Sequence, residues 1–297
     1  MRTPEILAPA GSMESLTAAL RSGADAVYIG GKRFSARNGA ANFSDEELAE
    51  AAALCHKYGA KLFIAVNTII SDDEAEDFCR YIKYTAEIGA DAYIVQDWGC
   101  AALIKSCVPD AVLHASTQMS VHTVSGAELL RDLGYARVVP ARELDKDTIA
   151  EICRLGLETE IFVHGALCMS VSGQCYMSAI VGERSGNRGR CAQPCRLPYG
   201  NGYELSLKDM SLLRYVDRLE QMGVASLKIE GRMKGAEYVG AVTRAYADAK
   251  RGKRFEKRDE EYLAGIFSRD GFSDGYFTGK IGEKMFGVRG LTTNSFP

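Results

Sequence analysis

Short apolar segments alternate with amphipathic ones along most of the chain, and this alternation is the strongest constraint on its fold. Eight segments have the length and composition of buried strands: residues 5–9, 26–30, 61–67, 92–97, 112–116, 137–141, 160–164 and 226–230. Buried strands joined by helical stretches predict a parallel α/β sheet. Because no Gly-rich dinucleotide fingerprint follows the first strand, eight units predict a closed (β/α)8 TIM-like barrel rather than an open sheet.

The longest interval between two predicted strands is residues 165–225, between the seventh and the eighth. We expect a cysteine-rich excursion there, residues 164–210, built on the face of the barrel. Residues 204–207 (ELSL) are a further strand candidate within it. Residues 255–297 are charged at first and then rich in glycine and aromatic residues, which predicts a C-terminal arm or the start of a truncated further module. The predicted domains are therefore a barrel, residues 1–254 with its insertion, and residues 255–297.

The excursion holds four of the nine cysteines within 28 residues: Cys168, Cys175, Cys191 and Cys195. An odd number of cysteines in a reducing compartment argues against a disulfide framework, and four thiolates suit tetrahedral zinc or an iron–sulfur cluster. Structural zinc sites use paired Cys-x2-Cys knuckles, which this segment lacks. Its looser spacing favours a 4Fe-4S cluster over zinc and over uncoordinated thiols. The other five cysteines lie singly in predicted helices, where cysteine behaves as a small buried hydrophobe.

Polar side chains gather at the predicted carboxyl ends of the strands, which is where a (β/α)8 barrel places its chemistry. The residues assigned to proton handling are Glu143, His164 and Glu230, and those assigned to substrate binding are Asn67, Gln118, Arg142 and Arg232. In the alternative interpretation, Arg142 with Glu143 and Glu230 with Arg232 only form ion pairs that close the barrel. The polar rim favours the functional interpretation.

Arginines are threaded through the cysteine excursion. The ERSGNRGR run at residues 183–190 presents Arg184 and Arg188, whose guanidinium groups suit bidentate recognition of carboxylates or phosphates. The alternative is a solvated surface loop. His164 and Cys168 are four residues apart and also suggest a thiol–imidazole pair of a peptidase. A thiolate that binds a cluster is not available as a nucleophile, which disfavours that interpretation.

Composition limits the classes of partner. Lys and Arg total 36 against 39 Asp and Glu, a formal charge of -3, so no global basic field indicates nucleic acid and any polyanion site must be local. No apolar run approaches the roughly 18 residues that a membrane span needs, and no signal-peptide pattern follows Met1. We expect a soluble cytoplasmic protein with no membrane partner.

Six motifs resemble the U-32 peptidase family, a collagenase-like group, over residues 5 to about 289. They are LAPAGSMESLTAALRSGADAVYIGG, LHASTQMSVHT, VVPARELD, FVHGALCMSVSGQCYMS, GNRGRCAQPCR and SLKIEGRMK. The resemblance implies oxygen-independent hydroxylation: of the tRNA wobble uridine with prephenate as oxygen donor in one branch, and of ribosomal RNA or of a ubiquinone precursor in others. It also implies a 4Fe-4S cluster on the positions that match the family's cysteines, which are the four of the excursion.

Among these branches we choose the tRNA branch as our prediction. We expect hydroxylation of the tRNA wobble uridine to 5-hydroxyuridine, with prephenate as co-substrate, tRNA as partner and a paralogous chain of the family as a possible second partner. The alternatives are hydroxylation of a ubiquinone precursor or of ribosomal RNA, a collagenase-like peptidase, and a non-catalytic partner subunit that carries a cluster.

Overall fold

The computed structural model describes residues 3–36, 41–172 and 174–287 of the chain. Its strands, in chain order, are β1 Glu5–Pro9, β2 Ala26–Ile29, β3 Lys61–Val66, β4 Ala92–Val95, β5 Leu113–Ala115, β6 Arg137–Val138, β7 Glu158–Gly165, β8 Asp209–Ser211, β9 Ser226–Ile229 and β10 Phe272–Ser273. Strands β1 to β7 pair in parallel and in sequence, and β9 pairs in parallel with both β7 and β1. The ring is closed, so the predicted (β/α)8 TIM-like barrel is confirmed.

Helices surround the barrel between these strands. They are α1 Met13–Arg21, α2 Asp45–Lys57, α3 Ala75–Glu87, α4 Trp98–Cys107, α5 Val124–Asp132, α6 Lys146–Cys153, α7 Met177–Gly182, α8 Val216–Met222, α9 Ala236–Lys250, α10 Lys257–Ile266 and α11 Gly275–Thr278. Local side chains define several helix starts, as the sequence predicts. Ser44 and Glu47 form a capping box at α2, and Ser71 and Glu74 form one at the 3-10 turn before α3.

The predicted strand at residues 204–207 is wrong. Residues 204 and 205 lie in a turn, closed by a bond from the Ser206 N–H to the Tyr203 carbonyl, and Leu207 forms only an isolated bridge with Phe286. The extra strand is β8 instead, two residues further on. It runs antiparallel to β7 and pairs on its other side with β10.

The C-terminal region adds structure to the side of the barrel. Residues 257–287 contain α10, β10 and α11, and β10 joins the sheet through β8. The division of the chain at residue 254 stays a prediction, and residues 288–297 of the predicted arm lie outside the described residues. None of the helices in the described ranges combines the length and the hydropathy that crossing a bilayer requires.

Buried charges fill the end of the barrel at which the strands begin. Arg137 is 2% exposed and donates to Glu5 at 2.9 Å, to Glu158 at 2.7 Å and to Glu160 at 2.8 Å. Lys228 donates to the other oxygen of Glu160 at 2.7 Å. Burial alone would raise the pKa of Glu160, but its two cationic partners lower it to about 2. This end of a barrel contributes stability, so we regard the network as structural.

Candidate functional site

The four cysteines of the excursion converge on one region after β7. Burial raises the pKa of the Cys195 thiol, and the neighbouring thiols of Cys168, Cys191 and Cys175 raise it further. Cys175 and Cys191 also both approach Gly186: an added Cβ there would lie 3.6 Å from the Cys175 carbonyl oxygen and 3.7 Å from the Cβ of Cys191. The fold therefore gathers thiols that are spread over 28 residues of the chain.

A single ion and a cluster require different separations of the four sulfurs. Across residues 3–36, 41–172 and 174–287, no three His, Cys, Asp or Glu side chains are grouped closely enough to hold one metal ion. Four thiolates on one zinc, at Zn–S bonds of about 2.3 Å, would stand only about 4 Å apart. A 4Fe-4S cluster distributes its four thiolates over separate irons and accepts a wider set. Four thiols are the donor set of a 4Fe-4S cluster, so the residues present fit that group, and the choice of a cluster over zinc stays a prediction.

The backbone between Cys191 and Cys195 directs an N–H group at one of the sulfurs. Gln193 adopts a left-handed conformation with φ of 56°, and its N–H donates to the Cys191 sulfur at 3.3 Å. The N–H of the preceding residue, Ala192, donates to the Ser178 hydroxyl oxygen at 2.9 Å. Hydrogen bonds to ligand sulfurs are one of the means by which proteins tune iron–sulfur centres.

The excursion leaves the barrel through a close approach of two strand ends. Gly165, the last residue of β7, has φ of 107°, and a Cβ at this position would lie 2.8 Å from the Glu230 carbonyl oxygen. Only glycine satisfies both conditions without strain. The end of β7 therefore lies directly against the residue that follows β9.

The loop between the first two cysteines is fixed to the barrel mouth by Ser172. This serine is 3% exposed, and its hydroxyl donates to the two oxygens of Glu143 at 3.0 and 3.2 Å. Its carbonyl accepts a bond from the Ser120 hydroxyl at 2.5 Å. Burial raises the pKa of Tyr276, and the charges of Glu143 and Cys168 raise it further. Glu143 therefore lies where the cysteine loop meets the mouth.

Arg142 is the predicted binding residue with unused hydrogen-bonding capacity. Its side chain is 7% exposed, its guanidinium stacks on Phe162 at 4.1 Å, and one amino group donates to the Ala166 carbonyl at 2.5 Å. The nearest carboxylate oxygen, on Glu230, is 3.8 Å away, and the Nε group has no partner among the described residues. A buried guanidinium with an unsatisfied donor is suited to bind an anion at the mouth.

Three other predicted binding residues are held by polar neighbours at the same end of the barrel. The Asn67 amide donates to Gln118 at 2.6 Å, and Arg232, which is 4% exposed, donates to the Ser35 hydroxyl at 2.6 Å. At Gly30 a Cβ would come within 2.2 Å of that hydroxyl oxygen. These contacts fix the rim, and the proposed binding roles stay predictions.

His164 lies outside this group. A bulge between Phe162 and His164 interrupts the alternation of β7, and the imidazole packs against Tyr238, Tyr246 and Phe272 with centroid distances of 6.0, 5.8 and 4.9 Å. The residue is 1% exposed, and neither ring nitrogen has a hydrogen-bond partner in the described ranges. Burial lowers its pKa to about 3. The surroundings support neither proton transfer at the mouth nor a thiol–imidazole pair with Cys168.

The two arginines of the ERSGNRGR run differ in their partners. Arg188 forms a bidentate ion pair with Glu74, with both distances 2.8 Å, and also donates to the Ile69 carbonyl at 2.5 Å. The predicted binding of substrate by Arg188 would require this ion pair to open. Arg184 is exposed, and its Nε donates to the Arg190 carbonyl at 3.0 Å. This is the one hydrogen bond that its guanidinium makes within the described residues.

Sequence reasoning missed Ser172 and Tyr276 as parts of the site. Ser172 lies inside the cysteine motif, where its spacing from Cys168 and Cys175 marks it as part of the same loop. Tyr276 lies in the C-terminal region, and no local pattern connects it with Glu143. Only the packing of that region onto the barrel brings it there.

The fold and this site define a (β/α)8-barrel protein with a four-cysteine centre over the barrel mouth. A profile of peptidase family U32 matches residues 11–286, and the chain belongs to that family. It is 44% identical over 254 residues to the 23S rRNA 5-hydroxycytidine C2501 synthase of Escherichia coli K12, covering 82% of this chain and 38% of that protein. It is 35% identical over 266 residues to tRNA hydroxylation protein P1 of Bacillus subtilis 168, covering 82% of this chain and 62% of that protein.

The chain thus spans less than two thirds of the length of each of these two relatives. Among solved structures, it superposes on a U32 peptidase with a TM-score of 0.54 and 13% identity, over 77% of this chain and 93% of the other. At that identity the superposition establishes the shared fold.

Proposed function

We propose that the chain catalyses oxygen-independent hydroxylation of an RNA base, namely the tRNA wobble uridine, to give 5-hydroxyuridine. The observation that carries the proposal is the convergence of Cys168, Cys175, Cys191 and Cys195 beside a mouth that presents Arg142 and two carboxylates. Two relatives in the same family are named for hydroxylation of tRNA and of 23S rRNA, which supports RNA as the class of substrate.

The four cysteines would hold a 4Fe-4S cluster, which supplies one-electron redox chemistry when bound. The protein's contribution is to place this centre at the carboxyl ends of the strands and to fasten it there. Gly165 turns the chain over the mouth, and Ser172 anchors the loop between the first two cysteines to Glu143. A base that enters the mouth would therefore meet the cysteine centre and the carboxylates together.

Arg142 is suited to bind the oxygen donor. Prephenate, the proposed donor, carries two carboxylates, and a guanidinium recognises a carboxylate with paired hydrogen bonds. The Nε group of Arg142 has no partner among the described residues, and Phe162 supports the guanidinium plane from one side. Burial of the site strengthens such a contact because the local dielectric constant is low.

Proton handling falls to the two carboxylates that remain at the mouth. A hydrogen that leaves C5 of the base as a proton needs an acceptor within reach. Glu143 is held in place by Ser172, and Glu230, 15% exposed, lies 3.8 Å from Arg142. We assign proton transfer to Glu143 and Glu230 and leave His164 out, since neither nitrogen of its imidazole has a hydrogen-bond partner among the described residues.

RNA affinity requires cationic groups for the phosphates. The chain has a formal charge of -3, so this contribution must be local or come from outside the chain. The exposed guanidinium of Arg184 beside the cysteine centre is one local source. A paralogous partner chain is another source that we retain as a proposal, and the cytoplasmic location stays a prediction.

Hydroxylation of a ribosomal RNA cytidine is the second candidate. The observation that favours it is the 44% identity to a protein named as a 23S rRNA hydroxycytidine synthase. The site is compatible with either base, because both pyrimidines present the same C5 position. The ubiquinone-precursor and non-catalytic alternatives have no specific contact in their favour, and the peptidase alternative lacks its thiol–imidazole pair.

One experiment separates these alternatives. Total tRNA and ribosomal RNA from a deletion strain are digested to nucleosides and compared by mass spectrometry with strains that carry the wild-type chain, Cys191→Ser or Cys153→Ala. We expect 5-hydroxyuridine in tRNA to disappear on deletion and with Cys191→Ser. The control Cys153→Ala, in α6 away from the cysteine centre, should retain it. Loss of hydroxycytidine from ribosomal RNA with tRNA unchanged would replace our proposal by the second candidate, and no change in either RNA would refute both.

A further inference from the structure

Arg196 is a buried cation directly after the last cysteine of the centre. The residue is 5% exposed at the end of the 3-10 turn Pro194–Arg196. Its guanidinium donates to the Leu207 carbonyl at 2.5 Å, to the Ser206 hydroxyl at 3.2 Å and to the Leu167 carbonyl at 2.5 Å. All three acceptors are uncharged, so hydrogen bonding satisfies the group without neutralising it.

Arg196 lies among charges of both signs. Burial lowers the pKa of Arg196, Arg269 lowers it further, and the thiols of Cys195 and Cys168 together with Asp209 act in the opposite direction. The Asp209 carboxylate is 1% exposed and is already bound by Arg269. Asp209 is thus committed to Arg269, and Arg196 forms no ion pair with a carboxylate of the described residues.

A buried charge without a counter-charge is costly, so such groups are paired in stable proteins. The groups that act on Arg196 as anions are Asp209, which Arg269 already binds, and the thiols of Cys168 and Cys195. Four thiolates around a 4Fe-4S core leave the centre with a net negative charge, which grows by one when the core accepts an electron. The uncompensated guanidinium and the proposed cluster therefore complement each other.

Arg196 also joins the two ends of the cysteine motif. Its own backbone follows Cys195, and its side chain binds the carbonyl of Leu167, the residue before Cys168. The contact spans 29 residues of sequence. This hydrogen bond therefore fixes the separation of the segments that carry Cys168 and Cys195.

We propose that Arg196 is the fixed counter-charge of the iron–sulfur centre: it holds the Cys168 and Cys195 segments together and raises the reduction potential by stabilising the more negative, reduced cluster. The inference rests on the cluster that we propose for these cysteines. It does not depend on which base is hydroxylated. It makes Arg196 a positioning residue, because its effect on the reaction passes through the cluster.

Three variants of the full chain test this proposal. Arg196→Gln removes the charge, Arg196→Lys keeps it, and Arg190→Gln is the matched control, since Arg190 also adjoins a cysteine but is exposed to solvent. Each protein is purified anaerobically, its iron and sulfide are measured, and the cluster is titrated with dithionite while its reduced form is followed by electron paramagnetic resonance. These readouts do not require the hydroxylation reaction.

We expect Arg196→Gln to lower the equilibrium constant for one-electron reduction at least tenfold, which is about 59 mV. Arg196→Lys and Arg190→Gln should change it less than about threefold, because one keeps the charge and the other removes only a charge that water and salt screen. An unchanged potential in Arg196→Gln would refute the electrostatic role. If Arg196→Gln fails to retain iron, retention of the cluster by Arg196→Lys supports the proposal, and its loss there as well overturns it.

The same data separate this inference from the proposed function. Wild-type protein without iron and sulfide would remove the cluster, and the role of Arg196 with it. Wild-type protein that holds a cluster with the expected shift in Arg196→Gln, but leaves RNA unmodified in cells, would retain the inference and reject RNA hydroxylation.

Discussion

The structure predicts that His164 remains neutral far below the pH at which a histidine normally gains its proton. Its imidazole is 1% exposed among three aromatic rings, and burial is the one cause that lowers its pKa, from 6.5 to about 3. The perturbation we choose is His164→Phe, which replaces the imidazole by a ring of similar shape in an aromatic environment. The matched control is His122→Gln, which alters an exposed imidazole.

The magnitude follows from proton linkage. Between pH 6.5 and about 3 the unfolded chain binds a proton at this residue and the folded chain does not, so stability falls as the pH falls through this window. From pH 7 to pH 5 one such histidine lowers the free energy of unfolding by about 2 kcal/mol. His114 is also buried and its pKa is also lowered to about 3, so it contributes a similar amount. The two histidines together account for a loss of about 4 kcal/mol.

The assay is urea unfolding at pH 7, 6 and 5, with all proteins in the same cluster state. We expect the loss of stability between pH 7 and pH 5 to be about 2 kcal/mol smaller in His164→Phe than in the wild type, and unchanged in His122→Gln. Carboxylates contribute equally to all three proteins and cancel in the comparison. Selective labelling of the histidine rings gives a second readout, in which the His164 signal should not titrate above pH 4.5.

Equal pH dependence in the wild type and His164→Phe would refute the reasoning. So would a His164 signal that titrates near its ordinary value, because the imidazole would then contact water or a carboxylate. That result would also restore His164 as a candidate for proton transfer at the mouth.

Two further predictions concern charges away from the cysteines. Glu160→Gln removes a buried carboxylate and leaves Lys228 uncompensated, so we expect the free energy of unfolding in urea to fall by about 3–5 kcal/mol. The control, the same substitution at the partly exposed Glu158, should lower it by about 1 kcal/mol or less. Equal losses would contradict the buried network. The Arg188–Glu74 pair should show a coupling of about 0.2–1 kcal/mol in a double-mutant cycle, because both side chains are partly exposed, and this coupling should weaken in high salt. The Arg188 hydrogen bond lowers the pKa of Glu74 to about 2, so the coupling energy is complete above pH 4.5 and is lost as the pH falls through about 2. A coupling energy that does not change with salt or pH would contradict the ion pair.

Much of the barrel was predictable because its determinants are local. Apolar segments of strand length mark the eight strands, and capping boxes such as Ser44 with Glu47 mark helix starts within a few residues. The four cysteines and the polar strand ends are also visible in sequence, since the (β/α)8 fold dictates that the strand ends share one face. The family motifs span the same regions, and the profile match confirms the family.

The partners of individual side chains were not predictable, because they come from distant parts of the chain. A single bulge in β7 redirects His164 from the mouth into an aromatic environment. Arg188 meets a glutamate 114 residues away, and Tyr276 reaches the site through the packing of the C-terminal region. The hydrophobic periodicity and the composition of the chain carry no information about such contacts.

The sequence by itself determined the class of fold, the four cysteines and the arginines that accompany them, because periodicity and spacing are properties of the linear chain. Only the tertiary structure decided which of those arginines is buried against the cysteines. In sequence Arg190 and Arg196 each adjoin a cysteine, but packing excludes water from Arg196 alone of these two. Burial fixes the electrostatic strength of a charge, and burial is set by the whole fold.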